Sequence, residues 1–177
     1  MVTTRLVIRR FAINDWPDLH EYLSDERVVK YEPYPPFTEE QSKQAAEHRA
    51  MSEDFWAVCL KETGKVIGNI YLSEQEQQNW EIGYVFNFSY QHKGYATEAA
   101  KALIEMVFCD KSAHRIYANC NPENSPSWKL LERIGFQKEA HLRKNVYFNC
   151  SVDGVPLWQD TLIYGLLKEE WESAFME

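Results

Sequence analysis

The densest chemistry in this chain lies at residues 81–107, EIGYVFNFSYQHKGYATEAAKALIEMV. The segment reads strand, loop, glycine turn, helix. At the turn stands Gln91-His92-Lys93-Gly94-Tyr95-Ala96, with Thr97 following. A helix start carries several N–H groups that have no partner within the helix, and a partial positive charge. Turned toward a pyrophosphate, such groups form an anion site without many basic side chains. Gly94 removes the Cβ that would block a close approach, Ala96 keeps the first turn slim, and Lys93 adds one positive charge. From the turn alone, a glycine that only shapes a loop is as good a reading. Two other phosphate motifs are absent. There is no Gly-Lys-Ser/Thr of the Walker type and no GxGxxG, so kinase and Rossmann dehydrogenase readings fall away.

Covalent nucleophiles are harder to find. Cys59, Cys109, Cys120 and Cys150 match neither a zinc spacing nor CxxC. None is paired with a histidine in a reactive motif. Each stands in an apolar or strand-like stretch, which reads as a buried free thiol.

Positioning the turn requires a scaffold, and the pattern supplies one. Residues 4–11 (TRLVIRRF) are strand-like, and Asn14-Asp15 opens a short helix over 15–23. Residues 31–38 hold three prolines and read as a loop. Thr38 with Gln41 is a capping box, opening a helix that runs to about Met51. A meander follows: strand at 55–61, turn at 62–65, strand at 66–72, polar loop at 73–79 and strand at 80–86. The order then becomes strand, helix, strand, helix, strand. The helix at 93–108 puts Ala96, Ala100, Leu103 and Val107 on one stripe. A strand spans 115–120. A helix spans 124–134, with Ser127, Leu130, Leu131 and Ile134 on one face and Gly135 as its left-handed stop. Closing strands start at Phe136 and at Asp160, with a hairpin loop at 149–156. The expectation is one mixed α/β domain over residues 1–177, with a single sheet and helices on both faces.

Composition narrows the partners. Net charge is −8, with no basic stripe, which argues against nucleic acid. Residues 1–10 hold no long apolar run, so neither a signal peptide nor a membrane span is expected. A reducing cytoplasm is the expected setting.

The order Q-x-x-G-x-A after a strand resembles the acetyl-CoA motif of the GCN5-related N-acetyltransferase (GNAT) family. The segment 121–136, NPENSPSWKLLERIGF, resembles that family's next motif at Asn124, Ser127, Leu130, Glu132, Arg133, Gly135 and Phe136. The opening TRLVIRRF and the closing DTLIYGLLKEEW resemble the subgroup of ribosomal-protein N-terminal acetyltransferases RimJ and RimL. Likeness extends over nearly the whole chain.

The resemblance implies a mostly antiparallel sheet with one splayed parallel strand pair. The strands near 80–86 and 115–120 part, and the pantetheine arm of acetyl-CoA lies in the gap like an added strand. Main-chain groups near Val85 and Phe86 would bind it, and an N–H there would polarise the thioester carbonyl. Amides of Gln91, His92, Lys93, Gly94, Tyr95, Ala96 and Thr97 would take the pyrophosphate. Asn124 would hold the pantetheine arm, although a plain helix cap is the first reading of that residue. Many members carry a tyrosine that protonates the leaving thiolate; here Leu131 stands in its place. Ser127 is the nearest substitute acid, with a bond to its own helix turn as the competing role.

An amine acceptor must attack in its neutral form. Glu81 is the first candidate base or orienting carboxylate, sharing a strand face with Gly83 and Val85. Asp160 is the second, with an ion pair to Arg143 as its structural alternative. His92 and His141 have suitable chemistry without a setting that selects them, and His20, His48 and His114 read as structural. Tyr31, Tyr34 and Phe37 of the proline loop would wall the acceptor pocket or simply pack. A protein N-terminal α-amine is the leading acceptor, with a small amine (polyamine, amino acid or aminoglycoside) or an inactive CoA-binding module as alternatives. No metal is implied, and the chain reads as a monomer or homodimer.

Overall fold

The computed structural model describes residues 1–175. Seven strands form one sheet: β1 (Leu6–Arg10), β2 (Phe55–Leu60), β3 (Val66–Glu74), β4 (Asn79–Phe86), β5 (Arg115–Cys120), β6 (Gln137–Val146) and β7 (Gln159–Leu167). Their order is β1-β2-β3-β4-β5-β7-β6, antiparallel at every step except β4–β5. Short antiparallel connections build the meander, and the one parallel step needs a crossover helix.

Helices α1 (Trp16–Leu23), α2 (Glu26–Val29) and α3 (Glu39–Met51) all lie between β1 and β2 in the chain. Helix α4 (Tyr95–Asp110) makes the crossover from β4 to β5, α5 (Ser125–Arg133) follows β5, and α6 (Lys168–Phe175) follows β7. The period of two in each strand sends alternate side chains to two cores. Trp80, Ile82 and Phe86 of β4 join the core built by Ala100, Leu103 and Val107 of α4 and by Leu130 and Leu131 of α5. Val85 goes the other way, to a core holding Leu19, Tyr22 and Leu23 of α1 and Ala46 of α3.

Local signals account for most element ends. At the start of α3, the Thr38 side chain accepts from Gln41 N–H at 3.2 Å, and the Thr38 N–H donates to Gln41 Oε1 at 2.8 Å. Helix α5 closes in a Schellman turn: Phe136 N–H reaches Leu131 O at 3.0 Å and Gly135 N–H reaches Glu132 O at 3.1 Å, with Gly135 at φ +97°.

Some expectations need correction. Helix α4 begins at Tyr95 rather than Lys93, because His92 (φ +59°) and Gly94 (φ +82°) cannot be helical. Its buried stripe is Ala99, Ala100, Leu103, Ile104, Val107 and Phe108, while Ala96 is only half-buried. Cys59 and Cys120 are buried, but Cys109 and Cys150 are exposed. The former ends the outer face of α4, and the latter sits in the hairpin loop. Two helices were not read from the sequence. The single turn α2 is capped by Asp25, which accepts from Arg27 N–H at 2.9 Å. In α6, Trp171 is 5% exposed and packs against Phe108 with ring centroids 6.3 Å apart.

Candidate active site

Strands β4 and β5 pair only at Asn79↔Arg115, Trp80↔Ile116 and Glu81↔Tyr117. Beyond Glu81, β4 stays with β3 as far as Gly68↔Phe86, and β5 stays with β7 as far as Cys120↔Leu162. Each strand follows its other neighbour, and a gap opens between them. A cavity of about 330 Å³ occupies this gap, lined by Ile82, Gly83 and Tyr84 on one side and Ala118, Asn119 and Cys120 on the other.

The β3–β4 ladder decides which main-chain groups face the gap. At its two ends, Gln75 N–H donates to Asn79 O at 2.7 Å and Asn87 N–H donates to Ile67 O at 2.9 Å. Hydrogen-bonded positions alternate along an antiparallel pair. Since the register runs without a shift, Glu81, Gly83 and Val85 spend their main-chain groups on β3, and Tyr84 and Phe86 turn theirs to the gap. Of the pair Val85 and Phe86, the register thus turns the main chain of Phe86 toward the gap and that of Val85 toward β3. Hydrophobic alternation reports which face a side chain takes, and it says nothing about which neighbour receives the N–H. Phe86 O accepts from Gln91 Nε2 at 3.0 Å, tying the edge of the gap to the glycine turn.

That turn is built as a helix start with open donors. Gly94 occupies the cap position of α4, and among the described residues no side chain caps the helix. An added Cβ at Gly94 would meet only Arg5 Nη2, at 3.3 Å, so the left-handed φ is what calls for glycine there. Arg5 buttresses the turn. Its Nη1 donates to Lys93 O at 2.9 Å, its Nε donates to Glu98 Oε2 at 2.7 Å, and its guanidinium lies 4.5 Å from the Tyr95 ring centre. Burial pushes the Glu98 carboxyl up, but bonds from Thr3 and Arg5 outweigh it and hold the group below the usual range. Arg133, at the end of α5, donates to Thr97 Oγ1 at 3.4 Å. Lys93 Nζ lies 5.3 Å from the Tyr90 ring centre. Three cations thus ring residues 93–97 in a chain of net charge −8. Arg5 and Arg133 were not singled out from the sequence. Nothing local to Arg5 signals its role, since its partners lie about ninety residues away. Arg133 belonged to the recognised 124–136 motif.

At the other end of the gap, α5 brings Asn124 and Ser127 into the cavity wall. Asn124 sits at the cap position of α5, but its side chain makes no cap bond; the main-chain O alone accepts from Ser127 N–H at 3.0 Å. The cap role is therefore filled by backbone, and the amide is left to the cavity. Ser127 does not bond its own helix turn through Oγ. Its Oγ lies 3.1 Å from Tyr84 Oη, and Tyr84 Oη donates to Ser127 O at 2.9 Å. Burial raises the Tyr84 phenol. Leu131, where many relatives by motif would carry tyrosine, is fully buried. Cys120 is the one cysteine in the cavity wall, and burial pushes its thiol up to about 11. It stays protonated near neutral pH and makes a poor nucleophile.

Three carboxyl groups line the same cavity. Glu81 accepts from Asn119 Nδ2 at 2.9 Å and from the Tyr117 hydroxyl at 3.4 Å. Asp160 accepts from Lys144 N–H at 2.8 Å and bonds His141 Nε2 at 2.7 Å; these contacts hold it below the usual carboxylate range. Its partner is therefore His141 rather than Arg143. The third, Glu32, comes from the proline loop. Burial raises it to about 7, against a bond from Tyr34 and the charge of Arg49. Among the described residues that line the cavity, none is Lys, Arg or His. Tyr31 reaches this wall, its hydroxyl 3.3 Å from Glu123 O, whereas Tyr34 and Phe37 meet in a tilted pair with ring centres 4.9 Å apart and pack on the second core. His92 stays in the turn, away from the cavity wall. No group of His, Cys, Asp and Glu among the described residues could hold a metal ion, and no described helix is long and apolar enough to cross a membrane.

Comparison with known proteins places this geometry. Residues 5–137 match the family model described as an acetyltransferase (GNAT) domain. The N-acetyltransferase YnaD of Bacillus subtilis (strain 168), itself uncharacterized, is 39% identical over 173 residues, covering 97% of this chain and 98% of that protein. The [ribosomal protein uS5]-alanine N-acetyltransferase of Escherichia coli (strain K12) is 27% identical over 184 residues, covering 97% and 92%. Among solved structures, a GNAT-family acetyltransferase from Bacillus anthracis superposes with a TM-score of 0.86 at 36% identity, covering 96% of this chain and 98% of that one.

Proposed function

This chain belongs to the GNAT acetyltransferase family and is an acetyl-CoA-dependent N-acetyltransferase, and we propose that its acceptor is the α-amine at the start of a polypeptide. Bound acetyl-CoA supplies an activated acetyl group on a thiol that leaves readily, its unperturbed pKa being about 8.5. The chain does the rest. Open amides of residues 92–97, backed by Arg5, Lys93 and Arg133, hold the diphosphate; the Gln91 N–H is taken by Phe88 O at 3.3 Å, so Gln91 contributes through its place in the turn. Main-chain groups of Tyr84 and Phe86 hold the pantetheine arm against β4, and one N–H there stabilises charge growing on the thioester oxygen. The free amide of Asn124 steadies the same arm. Ser127 Oγ donates to the departing sulfur. Glu81 orients the attacking amine and accepts its proton.

The observation that carries the acceptor class is the cavity lining: Glu32, Glu81 and Asp160, with no basic residue among the described ones. Carboxylates favour a cationic guest and disfavour one with an adjacent carboxylate, such as a free amino acid. An α-amine has a pKa of about 7.7–8.0, against about 10.4 for lysine, so it reaches the neutral attacking form with modest help. The likeness to an acetyltransferase of a ribosomal-protein alanine supports a polypeptide start. Phe148, an exposed aromatic of the cavity wall, offers an apolar surface beside the carboxylates. A second reading, a small polyamine, is favoured by the same three carboxylates.

Acetyl-CoA turnover on an alanine-first peptide, an otherwise identical N-blocked peptide with one lysine, and spermidine tests this. The expected order places the free α-amine first in kcat/KM by at least about tenfold, the size of a preference worth 1.4 kcal/mol. Spermidine outrunning the peptide would transfer the assignment to the second reading.

A further inference from the structure

Tyr84 has no role in the account above beyond its main chain, yet its phenol is the nearest polar neighbour of Ser127 Oγ. It lies 2.9 Å from Ser127 O and 3.1 Å from Ser127 Oγ, across the cavity wall from β4 to α5. A phenol has one proton, a carbonyl oxygen only accepts, and a hydroxyl does both. Two arrangements therefore satisfy the same heavy-atom positions. In one, Tyr84 donates to Ser127 O, and Ser127 must donate to Tyr84, so the serine proton is turned away from the gap. In the other, Tyr84 donates to Ser127 Oγ, and the serine proton is released toward the gap. Only two O–H bonds rotate between them. In the second state the donated phenol proton polarises Ser127 and makes it a stronger donor.

We propose that Tyr84 is a positioning residue that holds Ser127 Oγ and arms its hydroxyl to donate a hydrogen bond to the sulfur of CoA. The inference rests on reading Ser127 as the donor to the leaving thiolate. No proton is lost from Tyr84 in this scheme. The carbon–sulfur bond breaks, the proton of the attacking amine passes to Glu81, and the sulfur departs as a thiolate held by the Ser127 hydrogen bond. Burial of Tyr84 agrees with a phenol that stays neutral throughout.

The test is the ionisation of the thiol of bound CoA, followed by thiolate ultraviolet absorbance against pH, which needs no acceptor. A hydrogen bond to the thiolate lowers that pKa. Tyr84→Phe should raise it by about one unit, a tenfold loss of thiolate stabilisation. Ser127→Ala should raise it by at least as much, and the double variant should match Ser127→Ala alone. Calorimetry should find CoA affinity changed less than about threefold in each. Acetyl transfer to the alanine-first peptide should fall about tenfold in kcat for Tyr84→Phe with KM for acetyl-CoA unchanged. Thiol titration in Tyr84→Phe identical to the parent, with Ser127→Ala shifted, would overturn the role of Tyr84 while sparing Ser127. An unshifted Ser127→Ala would overturn the Ser127 reading and this inference with it. Additive effects in the double variant would show Tyr84 acting apart from Ser127 and overturn the coupling. Should Tyr84→Phe fold poorly, 3-fluorotyrosine at position 84 keeps shape and donor, and the titration should stay at or below that of the parent; a rise of one unit would count against the proposal.

Discussion

Arg5 and Glu98 stand 93 residues apart in the chain and meet through two bonds, Arg5 N–H to Glu98 Oε1 at 2.8 Å and Arg5 Nε to Glu98 Oε2 at 2.7 Å. The contact fastens the segment before β1 to the first turn of α4. It also settles an electrostatic conflict. A carboxylate one turn into α4 would repel a diphosphate held at that helix start, and the guanidinium beside it cancels the charge. Arg5→Ala should therefore weaken CoA more than the loss of one distant cation would, by about tenfold in calorimetric Kd. Glu98→Gln should restore part of that loss when combined with Arg5→Ala. Equal affinity in Arg5→Ala and the parent would separate the buttress from the anion site.

The same pair makes a statement about pH. The Glu98 carboxyl is held below its ordinary value in the folded chain. Its contribution to stability is thus present above the unfolded carboxylate pKa, near 4.3, and fades as pH falls through the lower folded value. Thermal melts should show the gap between the parent and Glu98→Gln narrowing below about pH 4. A gap that widens on acidification would contradict the direction.

Gly94 tests the anion site directly. Only its left-handed φ forbids a side chain, because a Cβ would meet nothing closer than Arg5 Nη2. Gly94→Ala should cost about 1 kcal/mol of stability. Gly94→Asp adds a negative charge at the open amides and should abolish CoA binding in calorimetry while circular dichroism stays close to the parent's. Undiminished affinity in Gly94→Asp would reject residues 91–97 as the diphosphate site.

Glu32 should titrate the acceptor cavity. Burial lifts its carboxyl to about 7, above the unfolded value near 4.3. Between those values the folded chain binds more protons than the unfolded one, so stability falls as pH rises through this window and levels off above it. Glu32→Gln should flatten the melting temperature across about pH 4.5–7 and leave the variant the more stable form at pH 8. Ionisation of Glu32 also adds negative charge to the cavity, so KM for a cationic acceptor should drop from pH 6 to pH 8 in the parent and less so in Glu32→Gln. A parent melting curve rising with pH over this window would show the group to be stabilised as its anion instead.

Cysteine reactivity reads out burial and the gap together. Cys109 and Cys150 are exposed, while Cys59 and Cys120 are buried with their thiols pushed up. Iodoacetamide at pH 8 followed by mass spectrometry should label Cys109 and Cys150 first. Slow labelling of Cys120 should stop when CoA is added, and that of Cys59 should not change. Protection of Cys59 in place of Cys120 would move the ligand to the opposite face of the sheet.

Much of this architecture was legible in the residues because local signals carried it. The Thr38–Gln41 capping box, the Gly135 stop and the alternation in β4 each act within a few residues, and each appears where expected. The turn at residues 91–96 was readable for the same reason. What escaped was set by distant partners. Arg5 gains its role from Glu98 and Lys93, Glu32 from its burial within the proline loop, and Tyr84 from Ser127, which is 43 residues away. The direction of the β4 amides is hidden for another reason: a strand's side-chain period fixes its faces but not which neighbouring strand receives each N–H.

The packing of Leu131 limits which side chains position 131 accepts. With no part of that side chain reachable by solvent, a tyrosine installed there would have to force its ring and hydroxyl into filled space, at a cost of about 1–3 kcal/mol before any benefit. Regaining the acid that other members use would require several neighbours to change together. A single Leu131→Tyr change is therefore disfavoured, and proton donation falls to what α5 and β4 already present at the mouth of the gap.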